Sequence, residues 1–217
     1  RSTQWILALQ KLRHFQRMAI EPDQVAYGSA IASCAEGPGW PYALHLADAM
    51  IQAKFNTNNI VCSALIMACE SGMLWTQALQ LLQRQESRGA DLKTVSSTMS
   101  ACGAAFRWAT TLDLLSQLPS RTLRPDEVTY GAAMGATARG TQWLKSLQLL
   151  DSMRQNQLAP NAMTYSCLIE ACSLGNNWQQ AIAFLVNMRS ARFQTSASIH
   201  GKVFNALDAA DEWQHSL

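Results

Sequence analysis

Apolar residues recur along the chain at the i, i+3, i+4, i+7 spacing of one helix face: Tyr27, Ala30, Ile31 and Cys34; Cys62, Leu65, Ile66 and Cys69; Tyr165, Leu168, Ile169 and Cys172. This spacing predicts an amphipathic helix over each set. A glycine follows at Gly37, Gly72, Gly140 and Gly175, with Ala105 the one departure. A residue without a side chain suits a helix end in left-handed backbone. Three residues further on, a tryptophan opens a second stripe, such as Trp143, Leu147, Leu149, Leu150 and Met153, or Trp178, Ile182, Phe184, Leu185 and Met188. The stripe predicts a second helix, antiparallel to the first, with Thr141 and Asn176 placed to cap it and Pro41 in its first turn. Proline then prevents continuation in Glu21-Pro22-Asp23, Arg124-Pro125-Asp126 and Ala159-Pro160-Asn161.

The seven tryptophans fix the period. Trp5, Trp40, Trp75, Trp108, Trp143, Trp178 and Trp213 are separated by 35, 35, 33, 35, 35 and 35 residues. A fixed step of this size predicts stacked helical hairpins, none of which buries its apolar face alone. With tryptophan as the seventeenth residue, full repeats run 24–58, 59–91, 92–126, 127–161 and 162–196, flanked by partial repeats 1–23 and 197–217. The expected architecture is all-α, a single array over 1–217 wound as a right-handed superhelix. The repeat 59–91 is two residues short near Gly89 and lacks the exit proline, which predicts a tighter or bent junction. Both ends fall inside a repeat, so the sequence reads as an excerpt whose capping units and targeting segment lie elsewhere.

Composition adds limits. Hydrophobic content of 48% is ample for a core, while the longest uncharged apolar run, Ala181 to Val186, is too short to span a bilayer. No membrane insertion is expected. A net charge of +2 is low for a protein that grips nucleic acid by phosphate neutralisation alone. Four of the six cysteines, Cys34, Cys69, Cys102 and Cys172, share the last apolar slot of the first helix, and Cys62 and Cys167 precede it. No C-x-x-C pair exists, so buried thiols are expected and no metal.

Two helices per 35 residues, the opening Val128-Thr129-Tyr130, the Ala-Leu-x-Leu-Leu core at Ala78 to Leu82 and the Pro-Asp exit together resemble the pentatricopeptide repeat family, over the whole chain. The run from Ala171-Cys172 to Met188 resembles the arrays of dinoflagellate and related algal proteins. The tetratricopeptide pattern differs in its 34-residue period and early tryptophan. The resemblance implies modular recognition of single-stranded RNA, one base per repeat, in a chloroplast or mitochondrion, with first helices lining the concave face.

The resemblance also implies base-reading positions. The last residue of each repeat matches at Asp23, Asn58, Asp91, Asp126 and Asn161, with Ser196 departing; the fifth matches at Ser63, Ser96 and Ser166, whereas Gly28, Gly131 and Gly201 have no side chain to offer. Ser63 with Asp91, and Ser96 with Asp126, form complete pairs of the kind that favours guanine, whose ring N–H and amino group a carboxylate accepts. Val25, Ile60, Val128 and Met163 match the apolar second position that stacks on a base; Lys93 and Ser198 do not.

Each assignment has a plainer counterpart. Asp and Asn after proline also serve as turn residues, and the serines also suit helix capping. The tryptophans read as packing wedges rather than a base platform. Cations on the first helices and their flanks are few, chiefly Lys93, Arg107 and Arg139 as phosphate contacts, with Lys202; Lys11, Arg84, Arg154 and Arg189 fall on second helices. His14, His45, His200 and His215 share no repeat position and no metal-ligand spacing, so no enzymatic role, cofactor or small-molecule substrate is expected. Two functions follow: sequence-selective single-stranded RNA binding in organellar processing, stability or translation, and a solenoid scaffold that docks protein partners in a large organellar assembly.

Overall fold

A computed structural model of the chain describes residues 4–18, 23–35, 37–53, 55, 58–86 and 90–209. Glu21, Pro22, Gly89, Trp213 and His215 lie outside them. Among the described residues the chain is a helical solenoid of α1 (Gln4–Arg17), α2 (Gln24–Ala35), α3 (Trp40–Gln52), α4 (Asn59–Ser71), α5 (Trp75–Glu86), α6 (Leu92–Ala104), α7 (Trp108–Gln117), α8 (Glu127–Arg139), α9 (Trp143–Gln155), α10 (Ala162–Leu174), α11 (Trp178–Ser190) and α12 (Ala197–Ala209), without strands.

The helices form two compact units, one ending at Ala105 and one beginning at Phe106. In the first, α2, α4 and α6 pack side by side, while α3 rests on α2 and α4, and α5 on α4 and α6. In the second, α8, α10 and α12 pack side by side, with α9 against α8 and α10, and α11 against α10 and α12. Each unit is thus two-layered, first helices in one layer and second helices in the other. The core is built from the predicted stripes: Ile31, Cys34, Ile66, Cys69, Leu168, Ile169 and Cys172 are buried. A small residue, Ala43, Ala78, Thr111, Ser146 or Ala181, is fully buried on α3, α5, α7, α9 and α11 respectively, and the Ser146 hydroxyl meets that of Thr137 on α8 at 2.7 Å. All six cysteines are buried and unbridged; burial pushes the thiols of Cys69 and Cys172 up to about 11.

The glycine that follows each first helix has a different purpose from the expected one. Gly72, Gly140 and Gly175 have φ of −92°, −80° and −86°, ordinary right-handed backbone. The left-handed residue is the next one: Met73, Thr141 and Asn176, with φ of 54°, 58° and 56°. Beyond it Leu74, Gln142 and Asn177 donate back to Cys69, Thr137 and Cys172, closing Schellman turns. Thr141 and Asn176 therefore end the first helix and do not cap the second, whose N-caps are Gln142 and Asn177. Glycine is required by the tryptophan of the preceding repeat. A Cβ on Gly72, Gly140 or Gly175 would lie 2.9, 2.3 or 2.5 Å from an indole carbon of Trp40, Trp108 or Trp143. The 35-residue tryptophan period is thus a repeat-to-repeat contact, indole on bare backbone.

Candidate nucleic-acid interface

The start of each first helix sets the site. Each Asp or Asn that ends a repeat caps the next first helix through Oδ1, accepting a backbone N–H three residues on: Asp23 from Ala26 at 2.8 Å, Asn58 from Val61 at 2.8 Å, Asp91 from Thr94 at 2.9 Å, Asp126 from Thr129 at 2.8 Å and Asn161 from Thr164 at 3.0 Å; Ser196 accepts from Ile199 through Oγ at 3.4 Å. The plainer reading of these residues is therefore realised as helix capping. Capping engages one atom of each side chain and leaves a second polar atom on the fork; in Asn161, Nδ2 donates to Glu127 Oε2 at 3.0 Å. Replacing Asp126 by alanine should cost about 1 kcal/mol in urea unfolding, and by asparagine a few tenths at most, roughly the spread of capping substitutions.

A threonine that the sequence reading passed over ties the site together. Thr94, Thr129 and Thr164 hold the third position of their repeats and are buried. Their backbone N–H groups supply the capping bonds, and the hydroxyls of Thr129 and Thr164 also donate to Asp126 and Asn161 at 2.6 and 3.1 Å. Thr94 faces two ways, since its hydroxyl lies 3.3 Å from that of Ser63 on α4. Ser63 and Asp91, one predicted reading pair, are thereby joined through Thr94. The recurring threonine of the Val-Thr-Tyr opening was the available signal.

The Thr94 side chain holds the Asp91 carboxyl below its ordinary value, aided by backbone N–H groups and Lys93 and opposed by burial. A depressed folded value gives stability that is present above the unfolded pKa and lost as pH falls through the folded one. The margin of the natural chain over Asp91→Asn should thus be full at neutral pH and shrink below about pH 4, read by urea unfolding at several pH values.

The other serines turn back on their own helices. Ser96 is only 6% exposed and donates to Lys93 O at 2.9 Å; Ser166 is half-buried and donates to Ala162 O at 2.8 Å. Ser96 and Asp126 belong to separate units. Around the glycines the surface is open: a Cβ on Gly201 would meet nothing within 4 Å, and one on Gly131 only Met163 Cγ at 4.0 Å.

The predicted stacking residues are the site's most distinctive feature. Val25, Ile60, Val128 and Met163 are 75%, 71%, 67% and 65% exposed, more than any other large apolar residue described. Each sits in the first turn of its helix, off the buried i, i+3, i+4, i+7 face, two residues past the capping Asp or Asn. Lys93 and Ser198 occupy the same place and are also exposed.

The cations are dispersed. Lys93 lies in the first turn of α6, Arg107 just before α7 and Arg139 at the end of α8, all exposed. Lys202 on α12 pairs with Glu170 on α10 at 2.7 Å, a contact no single-repeat pattern reveals. Burial, then the neighbouring Glu170, push the Cys167 thiol up, while Arg139 and Lys202 pull it down, which places these charges around one point of the second unit's first-helix layer. Among the described residues no group of three His, Cys, Asp or Glu is arranged for a metal, and no helix is long and apolar enough to cross a membrane.

No family model and no curated protein matches the sequence. Solved structures do. The chain is similar over 100% of its length to 31% of the pentatricopeptide repeat protein PPR10 from maize, with a TM-score of 0.75 and 23% identity. PPR10 in complex with an 18-nt psaJ RNA element matches 100% of this chain over 37% of its own, with a TM-score of 0.57 and 13% identity. Nuclear proteinaceous RNase P 2 from A. thaliana matches 85% of this chain over 42% of its own, with a TM-score of 0.66 and 14% identity. The chain thus spans about a third of the maize protein. Indole-on-glycine stacking of helical hairpins, Asp- or Asn-capped first helices and these structural likenesses agree on one architecture: the fold of this chain is that of the pentatricopeptide repeat proteins.

Proposed function

We propose that the chain is one pentatricopeptide repeat array over 1–217 whose first-helix starts bind single-stranded RNA. The observation that carries this is the series Val25, Ile60, Val128 and Met163, exposed apolar residues at one repeat position beside capping Asp or Asn. A lone exposed valine means nothing; four in register, each next to a polar fork, offer a face for stacking and an edge for hydrogen bonding. The solved RNA complex of PPR10 supports the reading through shared fold. Ser63 and Asp91, joined through Thr94, form the best-defined reader, with guanine its preferred base because a carboxylate accepts from both donors on that edge. Lys93, Arg107 and Arg139 supply phosphate contacts. We read the segment as non-catalytic. The organellar role rests on the repeat resemblance, since the fold is shared with a nuclear protein.

The scaffold reading has one specific observation in its favour: the Glu170–Lys202 pair neutralises a first-helix cation and adds a carboxylate to that layer. Selection from a randomised single-stranded RNA pool at two salt concentrations separates the two. RNA reading predicts enrichment of guanine at one position that Asp91→Asn loses, because an amide fork keeps the cap but presents a donor to guanine's donors. With three phosphate contacts, log affinity should fall with log salt at a slope of about −2. No enrichment even at low salt would move the function to protein docking.

A further inference from the structure

The second unit contains a repeat whose reading positions are filled differently. In the repeat 127–161 the fifth residue is Gly131, so the place that holds Ser63 in the repeat 59–91 has no side chain. A Cβ there would touch only Met163 Cγ, at 4.0 Å. Open surface therefore lies beside two exposed apolar residues, Met163 and, three residues before Gly131, Val128.

Glu127 borders that surface. It is the first residue of the repeat and stands one helical turn before Gly131, on the same side of α8. Its side chain is exposed, and Oε2 accepts from Nδ2 of Asn161, the last residue of the same repeat, at 3.0 Å. First and last residues thus meet here, whereas in the repeat 59–91 the fifth and last are joined through Thr94. Among the described helices α8 alone carries an acidic residue in its first turn. A carboxylate there suits the helix dipole, but the dipole does not direct its side chain to the start of the neighbouring first helix.

Thr164 fixes the polarity of this pair. Its backbone N–H can only donate, and it meets Asn161 Oδ1 at 3.0 Å, so the amide holds its oxygen on that side and its nitrogen toward Glu127. The Thr164 hydroxyl also donates to Oδ1, at 3.1 Å. The Asn161 oxygen is thereby used within the cap, and the acceptor left for a base edge is the Glu127 carboxylate.

A carboxylate sorts the bases. Adenine, cytosine and guanine each carry an amino group that donates to it. Uracil has one ring N–H between two carbonyl oxygens, and those oxygens repel an approaching carboxylate. We infer that Glu127 is the specificity-determining residue of the repeat 127–161, standing in for the missing fifth side chain and favouring an amino-bearing base over uracil. The inference rests on the proposed RNA reading and adds to it a residue outside the fifth and last positions.

The test is selection from the randomised single-stranded RNA pool on the natural chain, Glu127→Gln, Glu127→Ala and Asp91→Asn in parallel. Glutamine keeps an oxygen for Asn161 Nδ2 and gains an N–H that suits a carbonyl; alanine removes the contact. The natural chain should exclude uracil at one RNA position, distinct from the guanine that Asp91→Asn loses. Placing uracil there in the selected RNA should weaken binding to the natural chain roughly fivefold or more, and binding to Glu127→Gln by no more than about twofold. Both Glu127 variants should keep the guanine and unfold in urea close to the natural chain, because the side chain is exposed. Uracil excluded by the natural chain and Glu127→Gln alike, but admitted by Glu127→Ala, would make Glu127 a support for Asn161 and overturn its contact with the base. Uracil content independent of residue 127 at every position, with the guanine still enriched, would overturn the inference and leave the proposed function standing. No enrichment by any of the chains would sink both.

Discussion

Gly140→Ala is expected to destabilise the second unit by about 1–3 kcal/mol, the range of a methyl forced into a packed contact. Its Cβ would stand 2.3 Å from Trp108 Cδ1 and 2.8 Å from Cγ, so the indole must move or the helix end must shift. Backbone conformation predicts the opposite sign. At φ −80° alanine is unstrained, and the loss of glycine's unfolded-state freedom would stabilise by roughly 0.4–1 kcal/mol. Urea unfolding of Gly140→Ala, Trp108→Leu and the double variant distinguishes the two. A smaller side chain at 108 leaves room for the methyl, so the double variant should be less destabilised than the singles add up to, with a coupling of about 0.5–3 kcal/mol. Ala105 shows that the turn itself does not need glycine: it holds the same repeat position, and its helix ends at φ −89° with Phe106 left-handed at 58°.

Ile60→Asp and Met163→Asp are expected to weaken RNA binding by roughly 5-fold or more each, the equivalent of about 1 kcal/mol, the lower end of the range for a base on an aromatic ring because these side chains are aliphatic. Their folding stability should stay within about 0.5 kcal/mol of the natural chain, because both side chains are mostly in solvent. The combination is the informative part. A packing residue would lose stability, an incidental surface residue would lose nothing, and only a contact residue loses binding alone. Titration of each variant with the selected RNA, beside its urea curve, gives both readouts.

The fold was legible because its signal is redundant. Helix faces, tryptophan spacing and proline stops all give one period, and the burial of Ile31, Ile66 and Ile169 follows directly from it. Individual residues with two physical uses were not legible. Glycine at Gly140 suits both a left-handed turn and a close contact, and only the neighbouring indole distinguishes them. Asp91 suits both a cap and a base reader, and the structure shows it capping through one oxygen while Thr94 links it to Ser63. The stacking positions Val25, Ile60, Val128 and Met163 were implied by the family resemblance, and the structure adds that they are exposed and off the buried stripe. Contacts between neighbouring repeats, such as Lys202 with Glu170, stayed hidden because pairwise geometry, not period, brings them together.

On the proposed function, RNA lies along the first-helix starts. Photo-crosslinking of the selected RNA, carrying thiouridine, to the whole chain, with the attached peptides identified by mass spectrometry, tests it most directly. Crosslinks should concentrate in the segments 58–63 and 161–166, which hold Ile60 with Asn58 and Met163 with Asn161. Crosslinks concentrated instead on the second helices, in 75–86 or 178–190, would contradict it.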